Sequence, residues 1–213
     1  MSSIPAPEPT EVLRNTPMQQ RSAERVTQLL DAAAALIDEN GIDGLTTSDV
    51  AARSSSSVGV VYRYYPNIQS LLLALAARNL ERYLARAAEI TAVTPTDWLS
   101  GLDPVIDLSV DMARTEPGFR ALRFGTLIEG RFVDGRQSTN AQLARAFTTS
   151  MNERYGIPVT PALELDIEVA VEVSEALIVR AFQYEREGDQ RFIEKSREVL
   201  RDLLAHYEAE AAS

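Results

Sequence analysis

The sequence predicts an all-α protein of about nine helices, and three observations carry that expectation. Apolar residues recur at i, i+3, i+4 spacing through most of the chain from Ser22 to Tyr207. Capping residues (Ser, Thr, Asn or Asp) open the segments and Gly or Pro closes them. The run Val58 to Val61 could be a short strand, but no stretch of similar composition lies near enough to pair with it.

Residues 1 to 20 hold four prolines and little periodicity, so they read as a disordered arm. Helix one follows from about Ala23 to Asn40, with Val26, Leu29, Leu30, Ala33, Leu36 and Ile37 on one face and Asn40-Gly41 as a left-handed stop. Thr46-Thr47-Ser48-Asp49 is a helix start with a hydroxyl cap and an acid in the first turn, ahead of Val50, Ala51 and Ala52. Ser54 to Ser57 interrupt that short helix, Ser57 caps again, and a second short helix runs to Tyr65 before Pro66. A long helix followed by two short ones across a tight polar turn matches a helix-turn-helix. Asn67 then caps a long connector with Ile68, Leu71, Leu72, Leu75, Leu80 and Leu84 along it. Further helices are expected over 96–115, 117–124, 136–155, 161–186 and 189–210. The domain reading is therefore an arm (1–20), a helix-turn-helix domain (21–66) and a larger helical domain (67–213).

Composition removes several function classes. The chain has 213 residues, enough for a substantial core without staples, and no cysteine, which excludes disulfides, iron–sulfur sites and thiol nucleophiles. His206 is the sole histidine, leaving little for a Ser-His-Asp triad or a His-based metal site. No phosphate-binding glycine loop, G-x-S-x-G elbow or H-E-x-x-H occurs. Acid pairs at i, i+4, Asp107 with Asp111 and Glu164 with Glu168, read as solvated helix faces. Neither catalysis nor a cofactor is expected. No run approaches the roughly 18 apolar residues of a membrane span, and the N-terminus lacks a basic region followed by an apolar one, so a cytoplasmic protein is expected. The net charge of −10 argues against nucleic acid unless it is distributed unevenly.

The segment from Leu45 through Thr47, Val50, Ala51, Val58-Gly59 and Tyr62-Arg63-Tyr64-Tyr65-Pro66 to Asn67 resembles the DNA-binding signature of TetR-family transcriptional regulators. With helix one and Leu71-Leu72 the resemblance covers about 55 residues. It implies an N-terminal three-helix DNA-binding domain followed by a helical ligand-binding and dimerisation domain. By that resemblance Thr47 caps helix two and touches a phosphate, and Ser48 reaches a phosphate or base edge. Ser57 caps the recognition helix, whose groove-facing positions are Val58, Gly59, Val60, Arg63 and Tyr64. Arg63 is the candidate for bidentate bonding to guanine, Val58 or Val60 for a thymine methyl, and Tyr62 for a phosphate. Tyr65 is expected to pack inward. Two departures stand out. Ser55 and Ser56 replace the glycine and apolar residue common at the family's turn, and Ile68 replaces a frequent lysine. The turn must therefore reach a left-handed conformation without glycine.

Divided by region, the charge is −2 over residues 21–75, with four arginines against six acids, and −7 over residues 76–213. Most acidity thus lies away from the proposed DNA surface. In the second domain Trp98, Leu102, Ile106, Met112, Phe119, Phe124, Leu127, Phe132, Phe147 and Met151 are candidates to line an apolar cavity for a small hydrophobic or aromatic effector; otherwise they are plain core. Of these, Trp98, Met112, Phe119, Phe124, Phe132, Phe147 and Met151 are the residues expected to touch the effector. Residues 161–210 are apolar on more than one face, which fits either intramolecular packing or a homodimer four-helix bundle. The expected function is a homodimeric regulator, a repressor, that binds a pseudo-palindromic double-stranded DNA operator and is released by a small-molecule effector. The alternative is a small-molecule-binding protein of the same fold that has lost operator binding.

Overall fold

The computed structural model describes residues 12–93, 99–123, 139–205 and 207. Among them lie nine α-helices: α1 Val12–Asn40, α2 Thr47–Arg53, α3 Val58–Tyr64, α4 Ile68–Val93, α5 Leu102–Thr115, α6 Phe119–Arg123, α7 Thr139–Tyr155, α8 Pro161–Phe182 and α9 Gln190–Leu204. A short 3₁₀ turn, Leu99–Gly101, precedes α5. No helix among the described residues is long and apolar enough to cross a membrane. The run Val58 to Val61 is helical, as its lack of a pairing partner implied.

Helix α1 starts at Val12, well before the Ala23 expected, so residues 12–20 assigned to the arm are helical. Pro17 and the polar stretch around it read as a break in the sequence. Helix α1 nevertheless runs through Pro17 without interruption. The far end behaves as expected: Gly41, at φ 78°, donates its N–H to the Ile37 carbonyl at 2.9 Å.

The chain separates into two compact units, the first ending at Leu71 and the second starting at Leu72, so the division falls inside α4 rather than at residue 67. The first unit buries Leu29, Ala33 and Ile37 of α1, Val50 and Ala51 of α2, and Val61 of α3, with Tyr65 also turned inward. Helix α4 is capped by Asn67, whose side-chain oxygen accepts from the Ser70 N–H at 2.8 Å.

In the second unit, the buried residues of α4, α5, α7, α8 and α9 form one core. Thr160 caps α8 by accepting from the Leu163 N–H at 3.1 Å, and Pro161 follows at the first helical position, where its missing N–H costs nothing. Charged side chains clip α9 to α5. The largely buried Arg197 pairs with Asp107 and with Glu194 at 2.8 Å, and Arg201 pairs with Asp103. Asp111 bonds Arg86 of α4 at 2.7 Å. The acid pair Asp107 and Asp111 is thus divided between two arginines.

Asp189 caps α9, accepting from the Arg191 N–H at 3.0 Å and from its guanidinium at 3.0 and 2.6 Å. The Arg191 side chain holds the Asp189 carboxyl below the usual carboxylate range. Because the folded-state value is the lower one, the stabilisation is present above an unfolded pKa of about 3.9 and fades as pH falls through the folded one. Asp189→Asn is therefore expected to lower stability near neutrality and to flatten its acid dependence below about pH 4, as read by urea unfolding across pH.

Candidate nucleic-acid interface and effector cavity

The helix-turn-helix is built by its hydroxyls. Thr46 caps α2, accepting from the Asp49 N–H at 3.2 Å, while the Asp49 carboxylate accepts from the Thr46 N–H at 2.9 Å and its hydroxyl at 2.6 Å. This reciprocal capping box holds the Asp49 carboxyl below its ordinary value, chiefly through the Thr46 hydroxyl. The cap is thus Thr46 and not Thr47. Thr47 is the first residue of the helix, is buried, and donates its hydroxyl to the Tyr62 phenol oxygen at 3.3 Å. The two candidate phosphate ligands are thus joined to each other, and of the two only Tyr62 is exposed. Tyr62 is 52% exposed and, having accepted from Thr47, keeps its own proton for an incoming oxygen.

Between the two helices, Ser56 N–H donates to the Ala51 carbonyl at 2.9 Å and Ser55 N–H to the Ala52 carbonyl at 3.2 Å. That is a Schellman ending, which needs a left-handed residue at its apex. Ser55 supplies it at φ 51°, as the sequence required. A non-glycine residue there costs about 1–2 kcal/mol, against about 0.5–1 kcal/mol that glycine loses in backbone entropy. Ser55→Gly is accordingly expected to stabilise the first unit by about 0.5–1 kcal/mol, visible as a higher urea midpoint at unchanged slope.

The recognition helix α3 begins at Ser57, whose hydroxyl accepts from the Val60 N–H at 3.3 Å. Val58, Gly59, Tyr62 and Arg63 are exposed along it, as is Ser48 at the start of α2, while Val60 is half-buried. Tyr64, expected to face the groove, is half-buried and accepts from the Ser22 hydroxyl of α1 at 3.4 Å. That bond ties Tyr64 to α1.

The cations are unequally committed. Arg53 is held by Glu39 of α1, with one bond at 2.9 Å, an interaction that lowers the Glu39 pKa and raises that of Arg53. Arg25 donates to the Ser56 hydroxyl at 3.2 Å. Arg63 is exposed and makes no hydrogen bond or ion pair among the described residues. Gly59 is similarly unexplained by the chain itself. An added Cβ would meet nothing nearer than the Ser57 hydroxyl at 3.9 Å, and no left-handed φ requires glycine there.

In the second unit a cavity of about 100 Å³ opens between α4, α5, α7, α8 and α9. Of the residues predicted to line it, Phe147 and Met151 do, together with Leu102 and Ile106. Met112 and Phe119 do not. They are 1% and 0% exposed and belong to the packed core outside the cavity lining. Trp98, Phe124, Leu127 and Phe132 lie outside the described residues. The lining also includes Tyr83, Ser109, Tyr155 and Ser174, which sequence reasoning did not assign. A signal existed for two of them. Ser109 interrupts the α5 stripe of Leu102, Val105, Ile106 and Met112, and Ser174 interrupts that of Leu163, Ile167, Val171 and Ile178 on α8.

Comparison with known proteins agrees with both halves. Residues 96–207 match the family model described as tetracyclin repressor-like, C-terminal domain, and residues 29–75 that described as bacterial regulatory proteins, tetR family. The chain is 38% identical over 113 residues to the HTH-type transcriptional repressor KstR of Rhodococcus jostii, covering 52% of this chain and 53% of that one. It is 27% identical over 110 residues to the nucleoid occlusion factor SlmA of Pasteurella multocida, covering 51% and 55%. The chain's matches thus span about half the length of these curated relatives. A solved structure of a TetR-family transcriptional regulator from Streptomyces coelicolor is 36% identical, with a TM-score of 0.73 over 86% of this chain and 99% of that one.

Proposed function

The chain belongs to the TetR family of bacterial regulatory proteins, and on that premise we propose that it is a cytoplasmic, homodimeric transcriptional repressor that binds a pseudo-palindromic operator and is released by a small, largely hydrophobic effector. The observation that carries the reading is the uncommitted, exposed Arg63 on a capped recognition helix, beside a Tyr62 hydroxyl primed by Thr47. Arg63 reads a guanine edge, Val58 contacts a thymine methyl, and Tyr62 with Ser48 fixes the register on the phosphates. The protein acts by binding and not by catalysis.

Dimerisation is supported by the outer face of α8. Leu165, Val169, Ala176 and Val179 are exposed along one stripe, opposite the buried Leu163, Ile167, Ala170, Ile178 and Ala181. A helix apolar on two faces is covered on both by an isologous contact with a second copy. The two recognition helices of the dimer enter successive major grooves about 34–36 Å apart. An effector in the second unit shifts the population toward dimers whose helices are held at another separation.

Selecting genomic fragments with the purified protein, then footprinting the enriched DNA, tests the proposal. Reproducible enrichment of a two-fold symmetric site supports it. Failure to enrich any site would leave a small-molecule-binding protein that keeps the fold without an operator. Gly59 gives a second test. Gly59→Ala is expected to raise stability by about 0.5–1 kcal/mol, because the helix prefers alanine and the site is open, yet to weaken operator binding, because a methyl group intrudes where the helix meets DNA. Thermal unfolding and a mobility-shift titration read the two effects, and parallel changes in both would refute this role for Gly59.

A further inference from the structure

We propose that the effector is a compact, uncharged alcohol or phenol anchored by its hydroxyl on Ser109; this rests on the reading of the second-unit cavity as the effector site. Three observations define the ligand. The first is charge. No Asp, Glu, Lys, Arg or His is among the described residues that line the cavity, whose walls are mainly aliphatic and aromatic side chains such as Leu102, Ile106, Leu143 and Phe147. A carboxylate or ammonium would meet no oppositely charged side chain among those residues, at a cost of several kcal/mol. The second is size. A volume of about 100 Å³, below the roughly 150 Å³ of a dry cavity that takes benzene, admits at most a single small ring or a short alkyl chain.

The third is the arrangement of polar atoms. Ser109 is 3% exposed, lines the cavity, and has one proton for two acceptors, the Val105 carbonyl at 3.2 Å and the Tyr83 phenol oxygen at 3.3 Å. The Tyr83 hydroxyl in turn lies 3.3 Å from the same Val105 carbonyl. The Ser109 proton therefore stays bonded while the lone pairs of its oxygen accept from a ligand hydroxyl, and no internal bond is broken. A ligand with no donor forgoes that bond. An anion would instead present acceptors to an oxygen whose proton is already engaged.

Three single-ring probes test this on the full-length protein by calorimetric titration: toluene, p-cresol and p-toluate. The expectation is that p-cresol binds roughly three- to tenfold more tightly than toluene and that p-toluate binds weakest. In Ser109→Ala the p-cresol advantage should fall to near unity while toluene binding persists, which also reports an intact cavity. Equal binding of toluene and p-cresol by the unaltered protein, tightest binding of p-toluate, a p-cresol preference that survives Ser109→Ala, or no binding of any probe would each overturn the proposal. A separate readout, retention of the selected operator DNA by p-cresol-loaded protein, distinguishes the two readings. Selective p-cresol binding that leaves operator binding unchanged would keep the Ser109 anchor and reject effector control of DNA binding.

Discussion

Gly188→Ala should lower stability by about 2–4 kcal/mol, because two independent costs coincide at this position. Gly188 adopts φ 84°, a conformation an L-residue enters at a cost of about 1–2 kcal/mol. A Cβ there would also lie 2.9 Å from Cζ of Phe182 and 3.1 Å from Cδ1 of Ile193. Both side chains are buried, so neither has room to yield. The turn is pinned besides. The Arg114 guanidinium donates to the Glu187 carbonyl at 2.9 and 2.7 Å, and the Asp189 N–H donates to the Ala181 carbonyl at 2.8 Å. Gly41→Ala is the control, since φ there is 78° but nothing lies within 4 Å of the added atom. It should show the conformational cost of about 1–2 kcal/mol alone. Equal urea-derived losses for the two variants would mean that the turn before α9 relaxes freely.

Arg63→Ala should weaken operator binding by about 1–3 kcal/mol and relax the preference at one base pair in each half-site. Since Arg63 is exposed and makes no hydrogen bond or ion pair among the described residues, its removal should leave the unfolding transition nearly unchanged. Arg53→Ala serves as the contrast. It deletes a guanidinium already engaged by Glu39, so its effect should fall on the α1–α2 contact and leave base preference intact. Competition binding against a library randomised at each half-site position separates the outcomes. Unchanged affinity and preference in the Arg63 variant would remove that residue from the reading.

Local chemistry made most of the fold readable in advance. The caps at Ser57, Asn67 and Thr160, the glycine stop at Gly41 and the left-handed turn at Ser55 each follow from residues within a few positions of one another. Where the reading failed, the deciding information was distant or ambiguous. Adjacent threonines offer two equivalent caps, and the choice of Thr46 is fixed by which one returns to Asp49. Thr47 then turns to Tyr62, fifteen positions away, a pairing no local pattern encodes. Cavity residues were harder still. Apolar side chains lining a void and those filling a core carry the same periodicity, so Phe147 and Phe119 looked alike until packing set them apart. Polar interruptions of an apolar stripe, Ser109 and Ser174, were the more specific signal.

The engagement of Arg53 by Glu39 also bears on how the protein would find its target in a cell. Outward-facing cations are what hold a protein to arbitrary duplex, and this unit offers few of them. Chromosomal DNA would then retain few copies, and arrival would depend on repeated three-dimensional encounters more than on sliding. Under the proposed function, fewer molecules would be sequestered among the competing sites, and a small number of copies would suffice to keep one promoter occupied.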